Sequence, residues 1–214
     1  WPAERPVDAD QWITALRDCE KAISVAPAAP DGYCRRGIIL SRLGRYRDAV
    51  QSFGDPIDRK PHYPQAYNGR GNSLQALGCF QEAIDSYNKA IALNPDYAIA
   101  YGNRGNALQS LARYDEAIDS YSRALSLRPD YVDAYNNCGM ARKRSGRFAE
   151  SLDDFDRAIA LSPDRAELHS NRGNVLQDLK RFEDAIESYD AALMRNPHLA
   201  EAFCNRGLAL RQLG

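Results

Sequence analysis

The chain has little of what most quickly assigns a protein to a chemical class. No run among its 214 residues approaches the roughly 18 consecutive apolar residues of a membrane span. Its opening, WPAERPVDAD, has neither the basic start nor the apolar middle of a secretory signal, and a first residue of Trp1 in place of methionine suggests processing or truncation. Neither sign of charge dominates: 28 Lys and Arg stand against 29 Asp and Glu. That balance removes the main electrostatic reason to expect nucleic acid or an anionic membrane as a partner. The five cysteines (Cys19, Cys34, Cys79, Cys138, Cys204) form no C-x-x-C pair and are odd in number. They argue against a disulfide framework and for a reducing compartment, hence a cytoplasmic location.

Catalytic constellations are missing too. No nucleophile stands with a base, no paired carboxylates mark a cleft, and no ligand spacing suggests a metal, so neither an enzyme nor a cofactor is expected. Of the three histidines, His62 and His198 follow prolines and His169 falls in an aromatic column, so packing or solvation explains them better than metal binding. The string Gly69-Arg70-Gly71 lies inside a helical pattern with no strand before it, which removes its likeness to a phosphate loop.

What the sequence does have is a period. Pro27, Pro61, Pro95, Pro129, Pro163 and Pro197 recur every 34 residues, as do Gly37, Gly71, Gly105, Gly139, Gly173 and Gly207. Aromatic-type positions keep the same step at Tyr33, Tyr67, Tyr101, Tyr135, His169 and Phe203. Within one unit Tyr67, Gly71, Leu74 and Leu77 share a helix face, Gly78 supplies a turn, and Phe80 to Ile91 read as a second amphipathic helix ended by Pro95. Two such helices cannot bury an apolar face alone, so neighbouring units must stack. Five whole units are expected at 30–63, 64–97, 98–131, 132–165 and 166–199. Residues 1–29 then end in a lone second helix, and 200–214 form a first helix. Gly54 and Pro56 predict that the second helix of unit 30–63 is short or kinked around Phe53, and not unbroken past Asp58.

These residues resemble the tetratricopeptide repeat family, in the pattern Tyr101-x-x-Arg104-Gly105, Ala117-x-x-x-Tyr121 and Pro129 and again in Tyr67-x-x-Arg70-Gly71, Ala83-x-x-x-Tyr87 and Pro95. The resemblance implies an all-α, right-handed superhelical solenoid whose first helices line a concave surface. It also departs from the family: Arg replaces the usual Leu before the glycine in five units, and Leu74, Leu108 and Leu176 replace the second-turn Tyr.

The first-helix face not used for packing is rich in amides. One column holds Asn103, Asn137, Asn171 and Asn205, the next turn Asn72, Asn106 and Asn174, and the one beyond Gln75, Gln109 and Gln177, with Lys143 in the same file. Asn68 and Asn136 stand in a neighbouring, more variable column. Asn is a mediocre helix former, about half a kcal/mol worse than Ala, so this file requires an explanation. A carboxamide both donates and accepts, which suits the backbone of an extended peptide whatever its sequence. On the resemblance, the file faces a groove, similar to the interior of the repeats of O-linked N-acetylglucosamine transferases. Two competing origins stay open for the file: the amides could bond the adjacent unit and hold the stack together, or duplication could have copied them.

The expected function is a non-catalytic scaffold that binds a partner protein or extended peptide in that groove. Two alternatives accompany it. Uncapped terminal helices, with Phe203, Leu208 and Leu210 at one end, would permit end-to-end self-association. The repeats could also be the substrate-recruiting arm of a longer glycosyltransferase-like enzyme. A lysine clamp for a terminal dicarboxylate is not expected, because the column of Asn68, Gly102, Asn136 and Ser170 supplies no lysine.

Overall fold

A computed structural model of the chain describes residues 9–59 and 63–214, with the backbone alone for residues 9 and 55–59. His62 and the repeat-ending Pro61 lie outside the described residues. Among the described residues there are twelve helices and no strand. First helices of the repeats are α2 (Pro30–Arg42), α4 (Pro64–Ala76), α6 (Ala98–Ser110), α8 (Val132–Arg144), α10 (Ala166–Asp178) and α12 (Ala200–Leu213). Second helices are α1 (Ala9–Val25), α3 (Tyr46–Arg59), α5 (Phe80–Leu93), α7 (Tyr114–Leu127), α9 (Phe148–Leu161) and α11 (Phe182–Arg195). The molecule is an all-α helical repeat solenoid that divides into two compact units, Trp1–Leu111 and Ala112–Gly214. In each unit every helix packs on the next in sequence.

Local chemistry sets the helix ends. Gly44, Gly78 and Gly146 close first helices with φ of 73°, 77° and 78°, where a side chain is disfavoured. At Gly78 the backbone N–H donates to the Gln75 carbonyl (3.0 Å), and the Cys79 N–H reaches back to Leu74 (2.9 Å). Second helices stop before proline, where Asn94 and Asn196 accept, through Oδ1, the N–H of Asp96 (3.2 Å) and His198 (3.0 Å).

Small residues and one aromatic file make the core. Ala49, Ala83, Ala117 and Ala185 are fully buried, and so are Tyr87, Tyr121, Phe155 and Tyr189, with Phe53 close behind. The rings of Phe53, Tyr87, Phe155 and Tyr189 lie against first-helix glycines: a methyl group on Gly71 would stand 2.5 Å from the Tyr87 ring, and one on Gly173 2.6 Å from Tyr189. The glycine period therefore exists because an aromatic side chain occupies the space that a Cβ would take.

The expectation for unit 30–63 is overturned. Helix α3 runs unbroken from Tyr46 to Arg59, past Asp58, and matches α5 at 14 residues. Proline's fixed φ is itself helical. Its cost is one missing hydrogen bond to Ser52 and crowding one turn back, and both fall near the end of the helix. Ala49, Ser52 and Phe53, at most 2% exposed, anchor the preceding turns, and this packing outweighs local propensity.

Candidate functional site

Two clusters of the amide file, one in each unit, are each built around a tyrosine. In the first, the buried Tyr87 of α5 donates its hydroxyl to Asn72 Oδ1 (2.8 Å) and Gln75 Oε1 (3.1 Å) on α4. The next first helix joins through Asn103, whose Nδ2 donates to Asn68 Oδ1 (3.1 Å) and to the same Asn72 oxygen (3.0 Å). The second cluster repeats this one geometrically: Tyr189 donates to Asn174 Oδ1 (2.8 Å) and Gln177 Oε1 (3.0 Å), and Asn205 Nδ2 to Asn174 Oδ1 (2.9 Å). In the same unit, Asn171 Nδ2 donates to Asn136 Oδ1 (2.9 Å) and Asn136 Nδ2 to Asn137 Oδ1 (3.0 Å). Asn106, Gln109 and Asn137 are half-buried and engaged in further interactions.

These bonds give the file a structural task that its helix propensity had called for. Where the packing ring has no hydroxyl, the amide pair is missing: Phe53 follows Ile38 and Ser41, and Phe155 follows Met140 and Lys143. Sequence reasoning missed the tyrosines as members of the site, although this pairing of Tyr with Asn and Gln is visible in the columns.

The amides are not consumed entirely. Asn68 is buried, Asn72 is exposed, and the others stand between. Among the described residues the Asn72 and Gln75 amino groups, the Gln177 amino group and the Asn103, Asn171 and Asn205 oxygens have no protein partner. These six carboxamides spend one end on the stack and keep the other for solvent or a guest, whereas Asn136 and Asn174 use both ends within the protein.

Lys143 is placed differently from the amides. It pairs with Asp178 at 3.3 Å. Its neighbour Arg142 is drawn inward to Asp154 (2.8 Å) and Glu150 (3.4 Å), so only Arg144 of the Arg142-Lys143-Arg144 run stays exposed. The arginine beside the packing glycine also serves the stack. Arg36 Nε donates to Ser52 Oγ (2.8 Å), and Arg172 reaches Asp156 (2.7 Å) and Ser188 Oγ (2.8 Å).

The two buried cysteines, Cys34 and Cys138, are not poised for covalent chemistry. Burial pushes the Cys34 thiol up to about 11 and raises Cys138 as well, so neither is a thiolate near neutral pH. His169, buried in the aromatic column, holds the Pro163 carbonyl at 2.9 Å, as the Tyr33 hydroxyl holds that of Pro27 at 3.2 Å. Among the described residues no group of three or more His, Cys, Asp or Glu side chains could hold a metal ion, and no helix is long and apolar enough to cross a membrane.

One recess lies on the amide-bearing face of the first unit. A cleft of about 660 Å3 is lined by Asp31, Arg35 and Ile38 of α2, Phe53 of α3, Asn68, Gly69 and Asn72 of α4, and the tyrosines Tyr63 and Tyr97, among others.

Residues 64–97, 98–131 and 166–199 match the tetratricopeptide repeat model, and residues 141–180 match a second model described as TPR repeat. No curated protein matches the chain. Among solved structures, YrrB, described as a TPR protein with an unusual peptide-binding site, is 22% identical and superposes with a TM-score of 0.75 over 90% of this chain and 100% of its own. MamA is 27% identical, with a TM-score of 0.67 over 73% of this chain and 91% of its own. A thermophilic TPR protein of Thermus thermophilus, TTC0263, is 22% identical, with a TM-score of 0.64 over 86% of this chain and 100% of its own. These likenesses support the repeat fold and do not extend to glycosyltransferase repeats in particular.

Proposed function

Because the chain belongs to the tetratricopeptide repeat family, we propose that it is a non-catalytic scaffold that binds an extended segment of a partner protein along the amide-bearing face of its first helices. The observation that carries this reading is the unused end of six of the carboxamides. Donors on Asn72, Gln75 and Gln177 and acceptors on Asn103, Asn171 and Asn205 stand without protein partners on that face. An extended chain offers alternating N–H and C=O groups, which these atoms match without reading side chains. A protein of the same fold, YrrB, carries a peptide-binding site.

The test separates the two ends of each amide. Asn72→Asp and Gln177→Glu keep the oxygen that accepts from Tyr87 or Tyr189 and remove the outward donor. With Tm held within a few degrees, peptide binding measured by fluorescence anisotropy should fall. Unchanged binding by both variants would remove the groove reading and leave the amides as stacking elements alone.

A second reading, end-to-end self-association, draws on α12. Leu210 is 44% exposed, whereas its equivalents Leu40, Leu74, Leu108 and Leu176 are at most 4% exposed, and Phe203, Leu208 and Leu213 are exposed beside it. Light scattering on the chain and on Leu210→Glu tests it: an unchanged mass removes its support.

A further inference from the structure

We infer that the cleft between α2 and α4 is the anchor point of the groove, built to take one aromatic side chain of a bound peptide together with an acidic residue next to it. This rests on the groove reading above and adds the chemistry of the guest. The cleft opens where the amide file is interrupted. Gly69 occupies the column of Asn103, Asn137, Asn171 and Asn205, and Ile38 that of Asn72, Asn106 and Asn174. Without a side chain at Gly69, the Phe53 ring lies directly under the wall: a Cβ there would stand 2.6 Å from it. At Tyr87 and Tyr189, by contrast, carboxamides of the preceding first helix meet the packing ring's hydroxyl. Here a cleft of about 660 Å3 remains, within the range that holds a guest side chain and its backbone.

Its lining specifies the guest. Phe53 at the floor, Ile38 on one side, and the Tyr63 and Tyr97 rings give surface against which a flat aromatic side chain packs edge or face. Asn68 and Asn72 bring the amides that hold peptide backbone to the same place. The charge requirement comes from Arg35. It is exposed and makes no ion pair or hydrogen bond among the described residues, whereas the cleft's one carboxylate, Asp31, already accepts the Tyr63 hydroxyl at 2.7 Å. Arg35 and Ile38 also line a recess of about 470 Å3 between α1 and α2, so the unpaired guanidinium stands between two hollows and reaches a residue flanking the anchored ring. An anchor ring in a pocket with a charged neighbour at its rim is the arrangement in which few residues supply most of the affinity.

The probe is a library of random nonamer peptides displayed on phage and selected against the whole chain, followed by synthetic peptides of the enriched sequences. Enriched peptides should carry Trp, Tyr or Phe with Asp or Glu within two positions, and replacing that aromatic residue by Ala should weaken binding about tenfold or more. Gly69→Asn, which restores the file, should do the same. Arg35→Glu lies on an exposed position and leaves the fold intact even if Gly69→Asn does not. It should weaken the acidic peptides by a similar factor, and changing the peptide's acid to Lys should recover binding to that variant. Peptides without this pairing, or peptides indifferent to both variants yet lost on Gln177→Glu, would overturn the anchor and leave the groove reading standing. Failure to enrich any peptide would overturn both.

Discussion

The Tyr87 hydroxyl and the Asn72 carboxamide are joined by a 2.8 Å hydrogen bond, and along the chain the presence of one goes with the presence of the other. Tyr189 repeats the bond with Asn174, whereas Phe53 and Phe155 stand opposite Ile38 and Met140. A buried hydroxyl without a partner costs more than the bond gains, so ring and amide are coupled. Asn72 Oδ1 also accepts from Asn103 and thereby ties one repeat to the next. Tyr87→Phe should therefore cost about 1 kcal/mol, and Asn72→Ala, which leaves the hydroxyl to Gln75 alone and removes one Asn103 bond, about 1–2 kcal/mol. In urea unfolding the double substitution should cost less than the sum by at least about 0.5 kcal/mol. Strict additivity would show that the pair is not coupled.

The same burial sets an alkaline limit. The hydroxyls of Tyr87, Tyr121 and Tyr189 are held well above their ordinary value by desolvation, and Cys34 and Cys138 are raised in the same way. A group whose folded pKa is raised contributes stability below its unfolded pKa and loses it as pH rises, because the unfolded chain releases the proton first. Stability should thus be flat through neutrality and fall from about pH 9 to 10 upward, where free Cys and Tyr ionise. Tyr87→Phe with Tyr189→Phe should flatten the alkaline limb of a Tm against pH curve. A limb unchanged by both would assign the loss elsewhere.

A turn position predicts a gain. Gly44, Gly78 and Gly146 close first helices with positive φ, and the equivalent Ala112 and Lys180 adopt 57° and 60° with a side chain present. An L-residue there is strained by about 1 kcal/mol relative to glycine, a term larger than the unfolded-state entropy that glycine adds. Ala112→Gly and Lys180→Gly should each stabilise by up to about 1 kcal/mol, read as a higher urea midpoint with an unchanged m value. A decrease at both would show that the native turn relaxes the strain in another way.

The repeat, its helix pairs and the packing role of glycine are legible in the sequence because each recurs with one period, and a stack enforces the same contact at every step. The amide file is legible as an anomaly but not as a partner of tyrosine, since the two lie 12 and 15 residues apart on different helices and only packing brings them together. Lys143 reads as a groove residue from its column, yet its ion pair with Asp178 of the next first helix comes from an acid that its own column does not contain. The cleft at Gly69 reads as a gap in a pattern, and its emptiness depends on where the Phe53 ring lies.

Helix α3 provides the next prediction. It continues through Gly54 and Pro56, two residues that disfavour a helix interior, and a Cβ added at Gly54 meets nothing within 4 Å. Gly54→Ala should stabilise by about 0.5–1 kcal/mol and Pro56→Ala by up to about 3 kcal/mol. Gly54→Asp should do more than its propensity implies. In other repeats the residue 16 positions before the column arginine accepts from it, as Asn88 does from Arg104 (2.9 Å) and Asp156 from Arg172 (2.7 Å), and Arg70 has glycine there. Thermal melts of the three variants check this order, and a loss of stability at Pro56→Ala would show that proline is selected at that position for its rigidity.

Unit 132–165 carries a transposed ion pair. Where other repeats have Arg, Leu and Ser, it has Cys138, Arg142 and Asp154, and the Arg142 guanidinium meets the buried Asp154 carboxylate at 2.8 Å. Desolvation raises the Asp154 pKa despite the adjacent cation, and Arg142 Nε and Asp154 Oδ2 lack a good hydrogen bond. Charges in that position stabilise little together and cost much apart. Arg142→Leu alone should strand the carboxylate and cost about 3 kcal/mol or more, whereas Arg142→Leu with Asp154→Ser, the pair found in neighbouring repeats, should be neutral or stabilising. Because a raised carboxylate pKa means that ionisation in the unfolded chain comes first, Arg142→Leu should regain stability as pH falls toward about 4 and keep it below that. Urea midpoints at pH 7 and pH 3.5 decide it: a single variant as stable as the double one at both would show that Asp154 escapes to water when its partner is lost.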